Sequence, residues 1–187
     1  MTKDNKKLIV NTQKLVITAM FAALTTVATI VIQIPLMFGF VNLGDMFVLL
    51  SAFMLGSWYG VAAASIGSAL GDIILGYAIY APATFIIKGL MSFVVCVIVK
   101  ALSGKIKISV ITQVIAGIVA ELVMVAGYFF YEAVILGYSW AAASSIVGNL
   151  AQGGIGIALA VSLLNVFNSR KIFVQNQTNE DSDLNDK

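Results

Sequence analysis

Apolar runs of about 20 residues, each long enough to cross the hydrocarbon of a bilayer as a helix, recur along this chain. Short segments of Gly, Pro and Lys separate them. Hydrocarbon offers no hydrogen-bond partner to a bare peptide group, so repeated runs of this length fold as helices that satisfy their own backbones. The chain has 187 residues, of which 60% are hydrophobic and 11% charged. That leaves room for one such domain and no polar stretch long enough for a soluble one. The expected fold is an all-α integral membrane protein, a bundle of six transmembrane helices.

The spans are read as Leu15–Ile34, Asp45–Leu55, Ser57–Gly76, Ala81–Leu102, Ile108–Leu136 and Trp140–Phe167. A loop, Pro35–Gly44, joins the first two. The second is too short to cross alone unless that loop dips in, and the fifth is too long unless it tilts. The first run follows Lys3, Lys6, Lys7 and Lys14, but it exceeds a signal peptide's apolar core and reads as a membrane helix. Lys3 to Lys14, then Lys100, Lys105 and Lys107, then Arg170 and Lys171 flank alternate loops. The positive-inside rule then puts both termini in the cytoplasm. The division is a membrane domain over 1–172 and an acidic, disordered cytoplasmic tail over 173–187.

Composition removes several classes of chemistry. Histidine is absent, and with it the commonest general base and metal ligand. The one cysteine, Cys96, excludes a disulfide framework. No phosphate-binding loop of the Walker type, no H-E-x-x-H and no Ser/His pair is present. No cofactor, metal or nucleic acid is indicated. The spans also lack a clear inverted repeat, which counts against a self-sufficient secondary transporter.

Of the charged residues, five fall inside apolar stretches: Asp45, Asp72, Lys88, Glu121 and Glu132. Charge at membrane depth is expensive and marks a site by default. Asp45 opens the second helix, where a carboxylate suits the N-terminus and reads mainly as a cap at the edge of the loop. Ser65, Ser68 and Asp72 form one polar stripe at helical spacing, and Thr84, Lys88 and Ser92 form another. Glu121, Tyr128 and Glu132 share a face of the fifth helix, with Glu132 at the outer mouth. Asn149 and Gln152 are neighbours at mid-depth on the sixth, beside several glycines. Taken singly, any of these could be a structural contact, such as an Asp72–Lys88 ion pair between the third and fourth helices. Together they concentrate toward the outer side, where Tyr77, Tyr80, Tyr128, Tyr131, Tyr138 and Trp140 also cluster. That distribution predicts a polar pocket open to the outside, with Trp140 belonging to an interfacial belt. Ala19 and Ala23 on the first helix, and Ala62, Ala63, Ala64, Gly67 and Gly71 on the third, allow close approach of another helix, inside the bundle or on a partner.

The segment Asn42–Ser92 carries N-L-G-D, G-S-A-L-x-D and Y-A-P-x-T-F-I-I-K-G in that order. In these motifs the chain resembles the substrate-binding S components of energy-coupling factor vitamin transporters, and most of all the pyridoxine or hydroxymethylpyrimidine branch of the riboflavin-type family. The Ala19–Ala23 pair resembles the small-residue surface of their first helix. The resemblance implies a subunit of the bacterial cell membrane that captures a vitamin from outside under a lid between helices one and two. It also implies docking on a transmembrane T protein with two cytoplasmic ATPases, and toppling to release cargo inside. The expected ligand contacts are Asp72, Lys88, Asn149 and Gln152, with Thr84, Tyr80, Tyr128 and Glu121 completing the site. The expected lid includes Gly39, Asn42, Gly44 and Asp45, and the docking face Ala19 and Ala23. Alternatives are riboflavin as the ligand, a proton-coupled transporter working alone through Glu121, a small membrane enzyme, or a purely structural subunit.

Overall fold

The computed structural model describes residues 3–35, 37, 40–103 and 109–169. Gly39, the basic residues Lys105, Lys107, Arg170 and Lys171, and the tail 173–187 lie outside the described residues. Among the described residues six α-helices follow in order: α1 (Lys3–Val31), α2 (Gly44–Leu55), α3 (Ser57–Ile74), α4 (Ala81–Ser103), α5 (Val110–Phe130) and α6 (Ala143–Ser169). A small antiparallel hairpin, β1 (Gln33–Pro35) and β2 (Phe40–Asn42), fills the connection between α1 and α2. The sequence predicts only a loop there; strand pairing of Gln33 with Asn42 gives it a defined shape.

Among the described residues, four segments are long and apolar enough to span a membrane: Thr12–Val31, Ala81–Leu102, Val110–Ile135 and Ser139–Phe167. The 12-residue α2 is too short, as its length implies. The Ala-, Gly- and Ser-rich α3 is not among the four either, although the sequence predicts a span there. Both helices contribute to the interior of the bundle, and α3 also turns Ile66, Leu70, Ile73 and Ile74 outward. Val48 and Leu49 of α2 are 0% exposed, and that helix packs against α1, α3, α4 and α6.

The bundle keeps an apolar outer surface and turns its embedded charge inward, the arrangement that lipid as solvent requires. Leu15, Ile86, Leu122 and Val147 point outward from the long helices. The five embedded charged residues are all inside, none more than 5% exposed. Small residues let α3 reach α1. A side chain on Gly67 would run into Ala22 and Thr25, and Thr26 Oγ1 donates to the Gly67 carbonyl at 2.8 Å. The glycines of α3 therefore serve packing inside the bundle, whereas Ala19 and Ala23 of α1 face outward.

The ends of α5 explain its excess length. Ser109 caps it, accepting the Thr112 N–H at 3.3 Å, as a serine at that position does in water-soluble helices. At the other end the helix widens into a π-helical turn, Tyr131–Ile135, before Gly137 reverses the chain at φ 76°. Such widened turns re-aim side chains and recur at functional sites. Glu132 occupies this one.

Candidate functional site

Beneath the hairpin lies a cavity. Its aromatic walls are Phe40 from β2, Tyr80 from the α3–α4 turn and Tyr128 from α5. Its polar lining comes from five elements: Asn42, Asp72, Thr84, Glu132, and the pair Asn149 and Gln152. Asp72, Thr84, Asn149 and Gln152 are all buried, so the polar stripes do converge on one space.

The hairpin is tied down over this space. The Asn42 N–H donates to Gln152 Oε1 on α6 at 2.8 Å, and the Gly44 N–H donates to Asn42 Oδ1 at 2.7 Å. Phe40 packs against Tyr77 with ring centroids 4.8 Å apart. Tyr77 meets Tyr80 at 6.3 Å and Tyr80 meets Tyr131 at 5.8 Å, so an aromatic chain links the hairpin to the π-helical turn. Tyr131 anchors that chain by donating to the Ile79 carbonyl.

Asp45 departs from its expected role. Leu43 holds the N-cap position of α2 without a side-chain cap bond, Asn42 Oδ1 takes the Gly44 N–H instead, and Asp45, in the first turn, is 0% exposed. Its Oδ1 takes Lys88 Nζ in an ion pair, and its Oδ2 accepts from Gln152 Nε2 at 2.5 Å. Lys88 also touches Met124 Sδ at 2.9 Å and lies 5.6 Å from the centroid of the Tyr128 ring. The partner of Lys88 is therefore Asp45 on α2, and the Asp72–Lys88 clamp between α3 and α4 does not form. The lysine's ammonium is engaged in this pair, and Lys88 does not line the cavity.

Asp72 does line it, 5% exposed, and its Oδ2 has no hydrogen-bond partner among the described residues. The Thr84 hydroxyl faces the same carboxyl and lies 2.9 Å from the Tyr128 hydroxyl. Glu132 is the other lining carboxylate. Ser145 Oγ donates to its Oε2 at 2.5 Å, and Tyr80 makes a longer contact of 3.5 Å to its Oε1. Burial, reinforced by the Glu132 carboxylate, raises the Tyr80 phenol above its ordinary value. The phenol therefore stays protonated and can donate.

Glu121 lies off the cavity. It is 5% exposed, both its oxygens lack partners among the described residues, and it packs against Gly153 and Gly156 of α6. The structure thus brings together Asp72, Thr84, Tyr80, Tyr128, Asn149, Gln152 and the hairpin's Asn42, and does not place Lys88 or Glu121 in the lining. Two lining residues are not among the expected contacts. Glu132 reads from the sequence only as a residue at the outer mouth, although its spacing from Tyr128 already places both on one face. Phe40 gives no signal, because an aromatic in a segment read as a loop has no helical spacing to assign it a face.

An apolar-surfaced helical bundle with several helices long enough to span, and a mixed polar and aromatic cavity beneath a short hairpin, defines a multi-span membrane protein. The chain belongs to the family of ECF-type riboflavin transporter S components, matching it over residues 9–169. It is also 34% identical over 143 residues to a Pyrococcus woesei protein described as an uncharacterized protein in the gap 3' region, covering 72% of this chain and 93% of that one. The family is one of transporter subunits rather than enzymes, without an ATPase site, and its members work with a T protein and ATPases.

Proposed function

We propose that this chain is the membrane-embedded vitamin-binding subunit of an energy-coupling factor importer. It takes a small heteroaromatic vitamin or precursor, pyridoxine or hydroxymethylpyrimidine, from outside the cell. The observation that carries this reading is the lidded cavity, where Phe40, Tyr80 and Tyr128 offer ring faces and Asp72, Asn149 and Glu132 offer polar anchors. Flat heteroaromatics with hydroxyl groups satisfy both kinds of surface. Riboflavin is the alternative ligand.

In this reading both termini are cytoplasmic, the chain resides in a bacterial cell membrane, and the outward Ala19–Ala23 face of α1 docks on the T protein. ATP hydrolysed by the partner ATPases drives the toppling that releases the vitamin. The test is equilibrium binding of labelled pyridoxine, hydroxymethylpyrimidine and riboflavin to the purified full chain, with mass spectrometry of small molecules that copurify. Saturable binding of one vitamin supports the reading. Absence of binding by all three, with uptake by the chain alone driven by a proton gradient, would replace it with the secondary-transporter alternative.

A further inference from the structure

The charge around the cavity is one-sided. Asp72 and Glu132 line it, and among the described residues no Lys or Arg does. Lys88, the one buried cation among the described residues, is held by Asp45 and Met124. Asp45 in turn is filled by Lys88 and Gln152, so the lysine's charge is countered by a carboxylate in direct contact and makes no lining contact with the cavity.

The two lining carboxylates differ in what they have left to offer. Glu132 already accepts from Ser145 and Tyr80, which fix it in place. Asp72, 5% exposed and lining the cavity, keeps an Oδ2 without a hydrogen-bond partner among the described residues. A buried carboxylate oxygen without a donor is unfavourable, and a ligand that supplies the donor relieves it. A ligand that brings its own anion adds like charge in a medium that screens it poorly.

We infer that Asp72 and Glu132 set the charge selectivity of the site. The ligand presents a hydroxyl, a protonated ring nitrogen or an ammonium to Asp72 and carries no phosphate, while Glu132 adds the second negative charge that turns anions away. This rests on the reading of the cavity as the vitamin site, and it assigns specificity to two named side chains.

Matched pairs provide the test: pyridoxine, hydroxymethylpyrimidine and riboflavin, each against its phosphate ester, in equilibrium binding to the full chain in detergent. For whichever vitamin binds, the ester should bind at least roughly 100-fold more weakly. Asp72→Asn should weaken the free vitamin yet narrow that ratio, and Asp72→Asn with Glu132→Gln should bring it to within about tenfold. A ratio unchanged in the double variant means that shape rejects the ester and overturns the inference, as does a wild type that binds ester and vitamin equally. Where a variant fails to elute as a single species, an amine analogue of the vitamin decides on the wild type. Binding at least as tight as the alcohol supports the inference, and binding weaker than the phosphate ester overturns it. Failure of every vitamin to bind removes the proposed function itself and this inference with it.

Discussion

Lys88 on α4 pairs with Asp45 on α2 and leaves Asp72, in the cavity wall, with a buried carboxylate oxygen that has no hydrogen-bond partner among the described residues. One contact thus divides the buried charge into a structural pair and a free acceptor. The pair is also continuous with the lid, through Gln152 to the backbone of Asn42. A set of side chains that reads as one pocket therefore separates into a frame and a site.

The frame should be felt in stability. Removing one partner of a buried pair strands the other in low dielectric, typically at about 3–5 kcal/mol. Lys88→Ala should lower the thermal midpoint in detergent by a correspondingly large step. Lys88→Met with Asp45→Asn, which leaves no charge behind, should be distinctly milder. A Lys88→Ala protein that melts with the wild type would show that the pair does not hold α2 and α4 together.

Gln152 is expected to govern exchange more than affinity. Its Oε1 takes the lid's Asn42 N–H and its Nε2 is given to Asp45, so both ends of the amide are occupied. Loss of one hydrogen bond of about 1 kcal/mol corresponds to several-fold in a rate. Gln152→Ala should speed both binding and release of labelled vitamin several-fold, measured by filter or stopped-flow assay. Faster release with unchanged association would mark Gln152 as a plain ligand contact.

The α6 glycines give a paired prediction. A Cβ on Gly153 would meet Glu121 Cγ at 2.9 Å and its Oε2 at 3.0 Å, whereas one on Gly154 meets nothing within 4 Å. Overpacking commonly costs about 1–3 kcal/mol. Replacing glycine by alanine in an open helical position gains roughly 0.5–1 kcal/mol. Gly153→Ala should therefore melt lower than the wild type and Gly154→Ala equal or higher. Equal melting of the two would mean that α5 and α6 are not packed this closely.

On α1, Ala19 and Ala23 are exposed, so bulk there is tolerated by the fold. Ala19→Leu with Ala23→Leu should leave vitamin binding by the isolated chain within about twofold, since the face lies outside the cavity. Uptake by vesicles containing the T protein and ATPases should fall by an order of magnitude or more, because small residues permit close helix approach and leucines block it. Full uptake by the double variant would move the docking face elsewhere.

Period and composition carry the fold a long way. Runs such as Ala81–Leu102 are long and apolar because lipid is their solvent, and that is legible residue by residue. The stripes through Asp72, Thr84 and Tyr128 are legible too, since helical spacing alone decides which side chains share a face. They do converge on one cavity. Less legible is α3, whose Ala and Gly content reflects packing against α1 rather than exposure to lipid.

What the sequence determined by itself is therefore a membrane bundle with polar faces turned inward, because length and periodicity are local properties of a chain. Only the tertiary structure decided how those faces combine. It brought Asp45, met as a helix-start residue, to Lys88 and Gln152 from α4 and α6. It folded the first loop into a hairpin over the cavity and turned Glu132 into its wall through a π-helical turn. Helical spacing states which way a side chain points from its own axis. Which partner it meets depends on how separate helices are rotated and shifted against one another, and that is set by packing across the whole bundle.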